Sequence, residues 1–240
     1  MGNLTQLPVT CKEVTMDSSD QETVRKTLPR HDWGTMSIYL CDAGQMRVNV
    51  NDQEIVIGKG DMLFVNAFMY LHIVDISSDF HGHVMTAKSS LMFPIVKEIL
   101  DVNTQLFYRE HPLVHLEAYR FGEMASIASH LERRIAYEQS SNLTGPKALV
   151  AHEFVMLMFR GLVLKMLDVC LEKAAPTKSY NDRTDAFVYQ FLVEVFNNYR
   201  EHREVMFYAE QMCVSPSYLS TVVKQKTGKP ALQWIIDLVI

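Results

Sequence analysis

The chain has 240 residues, enough for one large domain or two smaller ones, and its 48% hydrophobic and 21% charged residues are typical of a folded globular protein. The net charge of −5 gives no support to a uniformly basic nucleic-acid-binding surface, although one element can be locally basic. The N-terminus lacks a signal-peptide pattern, and the longest apolar stretch, residues 148–171, carries too many charges for a membrane span. The sequence therefore predicts a cytoplasmic protein.

The four cysteines, at positions 11, 41, 170 and 213, are far apart and form no Cys-X-X-Cys pair. They lack the spacing of zinc knuckles and of thioredoxin-type redox sites. Cys41, Cys170 and Cys213 lie among apolar residues, which predicts buried, reduced thiols.

Residues 36–87 have the two-residue period of β-strands, with Met46 and Val48 sharing one face. Turn signals at residues 51–52 and 58–61 separate successive strands. Short strands at this spacing predict an antiparallel sandwich or a small barrel.

Residues 121–173 have a helical period that is broken at 140–142. Thr144 is a predicted N-cap, and Pro146 fits the first turn of the helix that follows. Apolar residues surround most of the circumference of helix 145–173, so it must be covered on more than one side. One side can pack on the sheet. The other can pack on a second subunit or on the preceding helix, and the pattern leaves both open.

A linker at residues 174–179 and an amphipathic helix at 184–200 precede two short helices around a turn. The first short helix has one apolar face that includes Tyr208 and Ala209, and the turn falls at 213–214. This arrangement predicts a helix-turn-helix.

The second short helix has strong boundary signals: Ser215 as N-cap, Pro216 at the first position and Gly228 at the end. Its outward side chains can all donate hydrogen bonds and none is acidic, as contact with phosphates and base edges requires. They are Ser217, Tyr218, Ser220, Thr221, Lys224 and Gln225. Two short helices in an all-α domain that binds no DNA remain the alternative.

The stretch FYAEQMCVSPSYLSTVVKQKTGKPALQWI, residues 207–235, resembles the first helix-turn-helix of the AraC-type (arabinose-regulator) transcription factors. The matching residues are Tyr208-Ala209, Val214-Ser215, Tyr218-Leu219, Lys224, Thr227-Gly228 and Trp234-Ile235. The resemblance implies that Ser217, Ser220 and Thr221 read bases and that Lys224 lies nearer the phosphates. The family's DNA-binding domain has two such motifs joined by a long helix. Because the chain ends at Ile240 in an apolar run, we expect a fragment without the second motif.

Residues 44–72 resemble the sheet of a cupin-like sensor domain, the usual N-terminal partner in this family. The residues that carry this likeness are Gly44, Val48, Val50, Gly60-Asp61 and His72. The resemblance implies a small-molecule pocket inside a barrel, covered by the segment before Trp33 as an arm. The candidate inward-facing residues are Met36, Ile38, Met46, Val48, Phe64 and His72.

A cupin-type metalloenzyme with an accessory helical domain is an alternative of another class. Metal-binding cupins use a His-X-His pair and a Glu on earlier strands and a His after the Gly-Asp turn. His72 lies near the last position, but His31 and Trp33 occupy the earlier ones without a suitable acid. His81 and His83 share a strand face if that segment is extended, although nine histidines make chance pairs common. We therefore expect no metal ion, no cofactor and no catalytic residue.

The expected fold class is α+β. An antiparallel cupin-like β-barrel with packed dimerisation helices is predicted over residues 1–175, a linker over 176–183 and an all-α helix-turn-helix subdomain over 184–240. The expected function is sequence-specific transcription regulation under the control of a small molecule. The expected partners are the effector, a second copy through helix 145–173 and, for the longer parent protein, double-stranded DNA. This chain, with only the first motif, is expected to bind DNA weakly or not at all. A regulator whose N-terminal domain only dimerises is the remaining alternative.

Overall fold

The computed structural model describes residues 7, 9–16, 35–51, 53–66, 69–100, 102–141, 143–173 and 183–239. The expected arm before Trp33, with His31, lies outside these residues, as do linker residues 176–182 and Ile240. The strands in the described part of the chain are β1 (Val9–Thr15), β2 (Thr35–Ala43), β3 (Gln45–Val50), β4 (Gln53–Gly58), β5 (Asp61–Val65), β6 (Leu71–Ile76), β7 (His81–Lys88) and β8 (Leu113–His115).

The strands form two antiparallel sheets. One has the order β1-β7-β2-β5-β8 and the other the order β4-β3-β6. Tyr39 and Leu63 of the larger sheet share one buried core with Met46 and Ile57 of the smaller sheet. Among the described strands no hydrogen-bonded ladder joins the two sheets. The predicted antiparallel strands are confirmed, but they pair as two sheets and not as one continuous barrel.

The predicted strand and turn signals of this region are confirmed where the pattern is clearest. Met46 and Val48 are fully buried while Arg47 between them is exposed. Gly60 has a φ of 85°, in the left-handed region that favours glycine, at the predicted turn. The Asp61 carboxylate closes this turn by accepting from the Gly58 amide over 2.8 Å.

In the described residues the helices between β7 and residue 173 are α1 (Ser89–Ile99), α2 (Val102–Glu110), α3 (Ala118–Ser140) and α4 (Gly145–Lys173). α1 and α3 cover the second face of the larger sheet. α3 packs on β1 and β7, α4 packs on α3 and α1, and α1 also contacts β2 and β7. α1, α2, β1 and β8 are not among the predicted elements. Although α4 has 29 residues, no helix in the described part of the chain is apolar enough over its length to cross a membrane.

The C-terminal helices are α5 (Arg183–Asn198), α6 (Val205–Gln211), α7 (Pro216–Thr227) and α8 (Ala231–Val239). α5 contacts all three of the others. Phe191 of α5 meets the Tyr208 ring edge-on, with ring centroids 6.0 Å apart. The Trp234 indole of α8 donates to the Thr227 hydroxyl at the end of α7 over 2.9 Å. These contacts make a small all-α unit, as predicted for this region.

The chain divides into two compact units. The first comprises Met1–Ile99 and Tyr108–Lys173, and the second comprises Leu100–Phe107 and Ala174–Ile240. Residues 100–107 thus group with the C-terminal helices. The Tyr189 hydroxyl of α5 donates to the buried Gln105 side chain, which explains this grouping. A boundary placed by linker composition does not reveal such a contact between distant segments.

Candidate nucleic-acid interface and effector site

The turn between α6 and α7 is held by backbone hydrogen bonds within the motif. The Met212 amide donates to the Tyr208 carbonyl over 3.0 Å, and the Val214 amide donates to the Ala209 carbonyl over 2.9 Å. Tyr208 and Ala209 are fully buried. The predicted inner face of the first short helix is therefore confirmed.

Cys213 lies in this turn in an unusual backbone conformation, with a φ of 55°. Its side chain is exposed, so the predicted burial of this thiol is wrong. Cys41 and Cys170 are buried as predicted, and burial raises their thiol pKa values to about 11 and about 12. The difference arises because a turn between helices presents its residues to solvent whatever their polarity.

Both predicted boundaries of α7 are confirmed. Ser215 has the extended backbone of an N-cap (φ −76°, ψ 147°), and its hydroxyl accepts from the Tyr218 amide over 3.2 Å. Pro216 occupies the first helical position. Gly228 ends the helix in the left-handed region with a φ of 77°, and its amide donates to the Lys224 carbonyl over 2.9 Å.

The six predicted DNA-contacting residues lie on one outer face of α7, opposite the buried Leu219, Val222 and Val223. Ser217, Tyr218, Thr221, Lys224 and Gln225 are exposed, and Ser220 is half-buried. α7 contains no acidic residue, whereas α6 carries Glu210. The structure brings this set together, while the role of each residue at DNA stays a prediction.

Two side chains of this face already have contacts within the protein. The Thr221 hydroxyl donates to the Ser217 carbonyl over 2.8 Å. The Tyr218 ring meets Phe187 of α5 edge-on, with centroids 5.8 Å apart, while 53% of the residue remains exposed. These contacts restrict the positions of both side chains.

The structure does not bring together the six predicted effector-pocket residues. Met46 and Val48 lie in the core between the sheets. Side chains alternate along a strand, so Met36, Ile38 and Phe64 lie on the opposite face from the neighbouring core residues Tyr39 and Leu63. That opposite face is buried too, on the side of the helices.

His72, the sixth predicted pocket residue, is exposed on β6 between Leu71 and Ile73, which pack against the core. The expectation of a common inward face therefore fails for four of the six residues: Met36, Ile38, Phe64 and His72. The effector-binding role itself stays a prediction.

A polar side chain outside the predicted site residues lies in the core between the sheets. Tyr39 is 1% exposed, and its hydroxyl has no hydrogen-bond partner among the described residues. Burial raises the Tyr39 pKa well above its usual value, and an interaction with the Ser37 side chain offsets only part of that effect. The Tyr39 hydroxyl therefore keeps its proton, and no acceptor among the described residues lies where it could form a hydrogen bond with that proton.

A row of hydroxyl side chains crosses the same face of the larger sheet beside Tyr39. Ser37 is opposite Thr86 in the β2–β7 ladder, and Thr86 is opposite Thr10 in the β1–β7 ladder. The Thr10 and Thr86 hydroxyl oxygens are 2.6 Å apart. Paired residues of neighbouring strands point to the same face, so these side chains lie on the Tyr39 side of the sheet.

The His81–His83 pair is extended on β7, as the metal-binding alternative requires. The two ring nitrogens of His81 lie near different carboxylates, 2.7 Å from Glu13 and 3.3 Å from Asp42. Within the described residues, no three His, Cys, Asp or Glu side chains are grouped so that they could hold a metal ion. Glu13 lies on β1, a strand absent from the sequence prediction.

His83 is buried beneath α3 at 2% exposure. Its Nε2 atom is 3.4 Å from the Ser129 hydroxyl, and its Nδ1 atom has no partner among the described residues. Burial lowers the His83 pKa, although the nearby carboxylates, chiefly Glu13 and Glu132, act in the opposite direction. The structure therefore favours a neutral imidazole at this position.

α4 exposes an apolar face along much of its length. Val150, Leu157, Leu164 and Leu171 recur every seven residues and are all exposed, Leu157 to 66%. Phe154 lies beside this row and is half exposed. The opposite side of the helix is buried, including Val155, Phe159 and Met166. The prediction that α4 is apolar on nearly all sides is confirmed, and the structure shows which side is uncovered.

An arginine lies between two exposed aromatic rings at one end of this face. The Arg134 guanidinium is 5.5 Å from the Tyr137 ring centroid and 5.3 Å from that of Phe154. Arg134 also bonds to the Glu138 carboxylate over 2.9 Å. These contacts fix large side chains at the surface, which lowers the entropy cost of ordering them in an interface.

Charged side chains join α3 to α4 around a cleft of about 110 Å³. Lys165 bonds to Glu123 over 2.7 Å, and Arg120 bonds to Asp168 over 3.1 Å and also to Glu172. The ion pairs connect the two helices and so fix which side of α4 faces outward.

No protein-family model and no curated protein matches this chain. Several solved structures match with low sequence identity and low TM-scores. An apo form of ToxT from Vibrio cholerae is 10% identical, with a TM-score of 0.40, over 98% of this chain and 99% of that chain. The AraC-like transcriptional activator CuxR is 12% identical, with a TM-score of 0.37, over 95% of this chain and 70% of that one. ToxT from Vibrio cholerae with a bound unsaturated fatty acid is 11% identical, with a TM-score of 0.33, over 96% of this chain and 95% of that chain. Likeness at this level assigns neither a family nor a function to the chain.

Proposed function

We propose that the chain is a transcription regulator that binds double-stranded DNA through the outer face of α7. In the same proposal it binds a small molecule between the two sheets and forms a homodimer through the exposed face of α4. The observation that carries the proposal is a short, well-capped helix that presents hydrogen-bond donors and no acid. A helix that only packs within an all-α domain does not require an outer face of this composition.

The charge distribution supports DNA as the partner of α7. The whole chain is acidic, with a net charge of −5, yet α7 carries Lys224 and Lys226 and no acidic residue. DNA phosphates repel acidic side chains and attract basic ones, and the major groove admits one α-helix. A helix exposed only to solvent would have no reason to exclude acids in an acidic protein.

The test compares two lysine substitutions that change the net charge equally. Lys224→Ala should weaken binding to a random-sequence duplex and reduce the slope of log K against log salt by about 0.9, because one phosphate contact is lost. Lys59→Ala removes an exposed lysine from the turn between β4 and β5 and should leave the slope unchanged. Fluorescence anisotropy over a salt series measures both. Equal slopes in the two variants, or no binding by the parent chain, would contradict the proposal.

The unpartnered Tyr39 hydroxyl supports a ligand between the sheets. A buried hydroxyl without an acceptor costs roughly 1–3 kcal/mol, and a ligand with an acceptor group would remove that cost. The neighbouring row of Ser37, Thr86 and Thr10 supplies further polar groups at the same face. These side chains would suit a ligand that has an apolar body and a hydrogen-bond-accepting group.

A thermal-shift screen with small metabolites tests this part of the proposal. A ligand that binds only the folded chain must raise the melting temperature. Tyr39→Phe should stabilise the unliganded protein by about 1 kcal/mol, because the unpaired hydroxyl is gone, and should weaken binding of a screened ligand by about tenfold. If no metabolite shifts the melting temperature and Tyr39→Phe destabilises the protein, the ligand part of the proposal is wrong.

A further inference from the structure

Thr221 differs from the other five residues of the α7 outer face in the group that it can offer to DNA. Its hydroxyl donates to the Ser217 carbonyl, one turn back in the same helix, over 2.8 Å. A threonine hydroxyl has one proton, so this donor is used inside the helix. The methyl group is the other branch of the tetrahedral Cβ atom, so it points away from the hydroxyl. The residue is exposed, and it is the only one of the six that carries a methyl group.

We propose that Thr221 recognises a thymine by apolar contact between its methyl group and the C5-methyl group of the base. This inference rests on the proposed binding of α7 to DNA. Thymine is the base that presents a methyl group in the major groove, and a threonine methyl is among the side-chain groups that contact it there. The sequence pattern treats Thr221 as one more hydrogen-bond donor. The contact with Ser217 changes that role.

A rival role remains chemically possible for the same side chain. The Thr221 oxygen keeps lone pairs that can accept from the amino group of adenine or cytosine. Two substitutions separate the roles. Thr221→Val keeps a methyl and removes the oxygen, whereas Thr221→Ser keeps the oxygen and removes the methyl. Both changes lie at an exposed position, and circular dichroism with thermal melting verifies that each variant folds.

The experiment begins with selection of a preferred duplex from a randomised DNA library by the full 240-residue chain at low salt. Each thymine of the selected duplex is then replaced, one at a time, by deoxyuridine, which removes only the C5-methyl group. We expect one thymine in each bound site at which this replacement weakens binding about fourfold, the effect of losing one buried methyl. Thr221→Ser should lose this sensitivity, and Thr221→Val should retain it. Gln225→Ala, on the same face, is a control that should also retain it.

Each other outcome overturns the inference in a recognisable way. If Thr221→Val loses the preference and Thr221→Ser keeps it, the oxygen is the contacting group. If the chain selects a sequence in which no thymine is sensitive to deoxyuridine, methyl recognition is wrong while DNA binding stands. If the chain selects no sequence at all, the proposed DNA binding fails as well.

Discussion

The two units of this protein each expose one helical face, and the two faces differ in length and in chemistry. On α4 the exposed face is apolar, with Val150, Leu157, Leu164 and Leu171 at a seven-residue spacing. On α7 it is polar and free of acids. Both helices bury their other side on apolar neighbours. The buried sides stabilise the fold. The exposed sides are not needed for packing within the described structure, so they are the candidate surfaces for binding partners.

The contrast is consistent with the two kinds of partner proposed above. An extended apolar face is unusual on a monomer and is typical of a protein–protein contact. A face of hydroxyl, amide and lysine side chains forms little hydrophobic contact and is suited to nucleic acid. Substitutions can therefore disrupt the apolar face of α4 and the polar face of α7 independently.

The largest expected effect is on dimer formation and comes from a charged substitution in the apolar face of α4. Leu157→Asp places a charge in the middle of the seven-residue row, where dimer formation would bury it, and should raise the dissociation constant of the proposed dimer at least about 100-fold. Val56→Asp is a matched control, because Val56 is also an exposed apolar residue but lies on β4. Sedimentation velocity over a concentration series measures both. If the parent chain sediments as a monomer at all concentrations, the apolar face does not join two copies.

A smaller effect is expected from loosening the helix that presents the polar face. Ser215→Ala removes the acceptor for the Tyr218 amide and should lower the free energy of unfolding by about 1 kcal/mol. Ser215→Asn keeps a capping oxygen and should cost much less. Urea unfolding followed by circular dichroism measures the difference. Equal stability of Ser215→Ala and the parent chain would show that the cap does not stabilise α7.

The last expected effect is confined to acidic pH and concerns the side chains beneath the two helices. The inward side of α7 is apolar, whereas α3 covers a titratable residue, His83. Burial lowers the His83 pKa, so below about pH 6.5 the unfolded chain binds a proton that the folded chain resists. The stabilisation is complete above that pH and is lost as the pH falls towards the folded-state pKa, with a slope of at most about 1.4 kcal/mol per pH unit.

His83→Gln should flatten this acid dependence, while His72→Gln, at an exposed position, should leave it unchanged. Urea unfolding at a series of pH values from 7.5 to 5 measures the slopes. An unchanged slope in His83→Gln would mean that other groups cause the acid sensitivity.

The two units were also unequally predictable from the sequence. The α7 boundaries follow from local signals, Ser215-Pro216 and Gly228, and the structure has both where the sequence places them. β2 is different, because residues 36–41 are all buried and helices cover one face while the smaller sheet covers the other. Burial on both faces removes the two-residue period, so the sequence could not show that Tyr39 points into the core and Ile38 away from it.

Other omissions have separate physical causes. β1 does alternate, with Val9 and Cys11 buried between exposed residues, and this signal could have been found. α1 contains Pro94, which usually argues against a helix. The His83 environment depends on Ser129 and Glu132, which are about 50 residues away in sequence, and no local pattern reports such a contact.

The proposed dimer through the seven-residue row on α4 would make DNA binding depend steeply on the concentration of the protein. If only paired chains hold DNA firmly, the active species forms from two identical molecules. Below the dissociation constant of the pair, its amount then grows with the square of the total protein concentration. A twofold change in synthesis would produce nearly a fourfold change in the DNA-binding form. A row of four aliphatic side chains would in this way turn a gradual change in expression into a sharper transcriptional response.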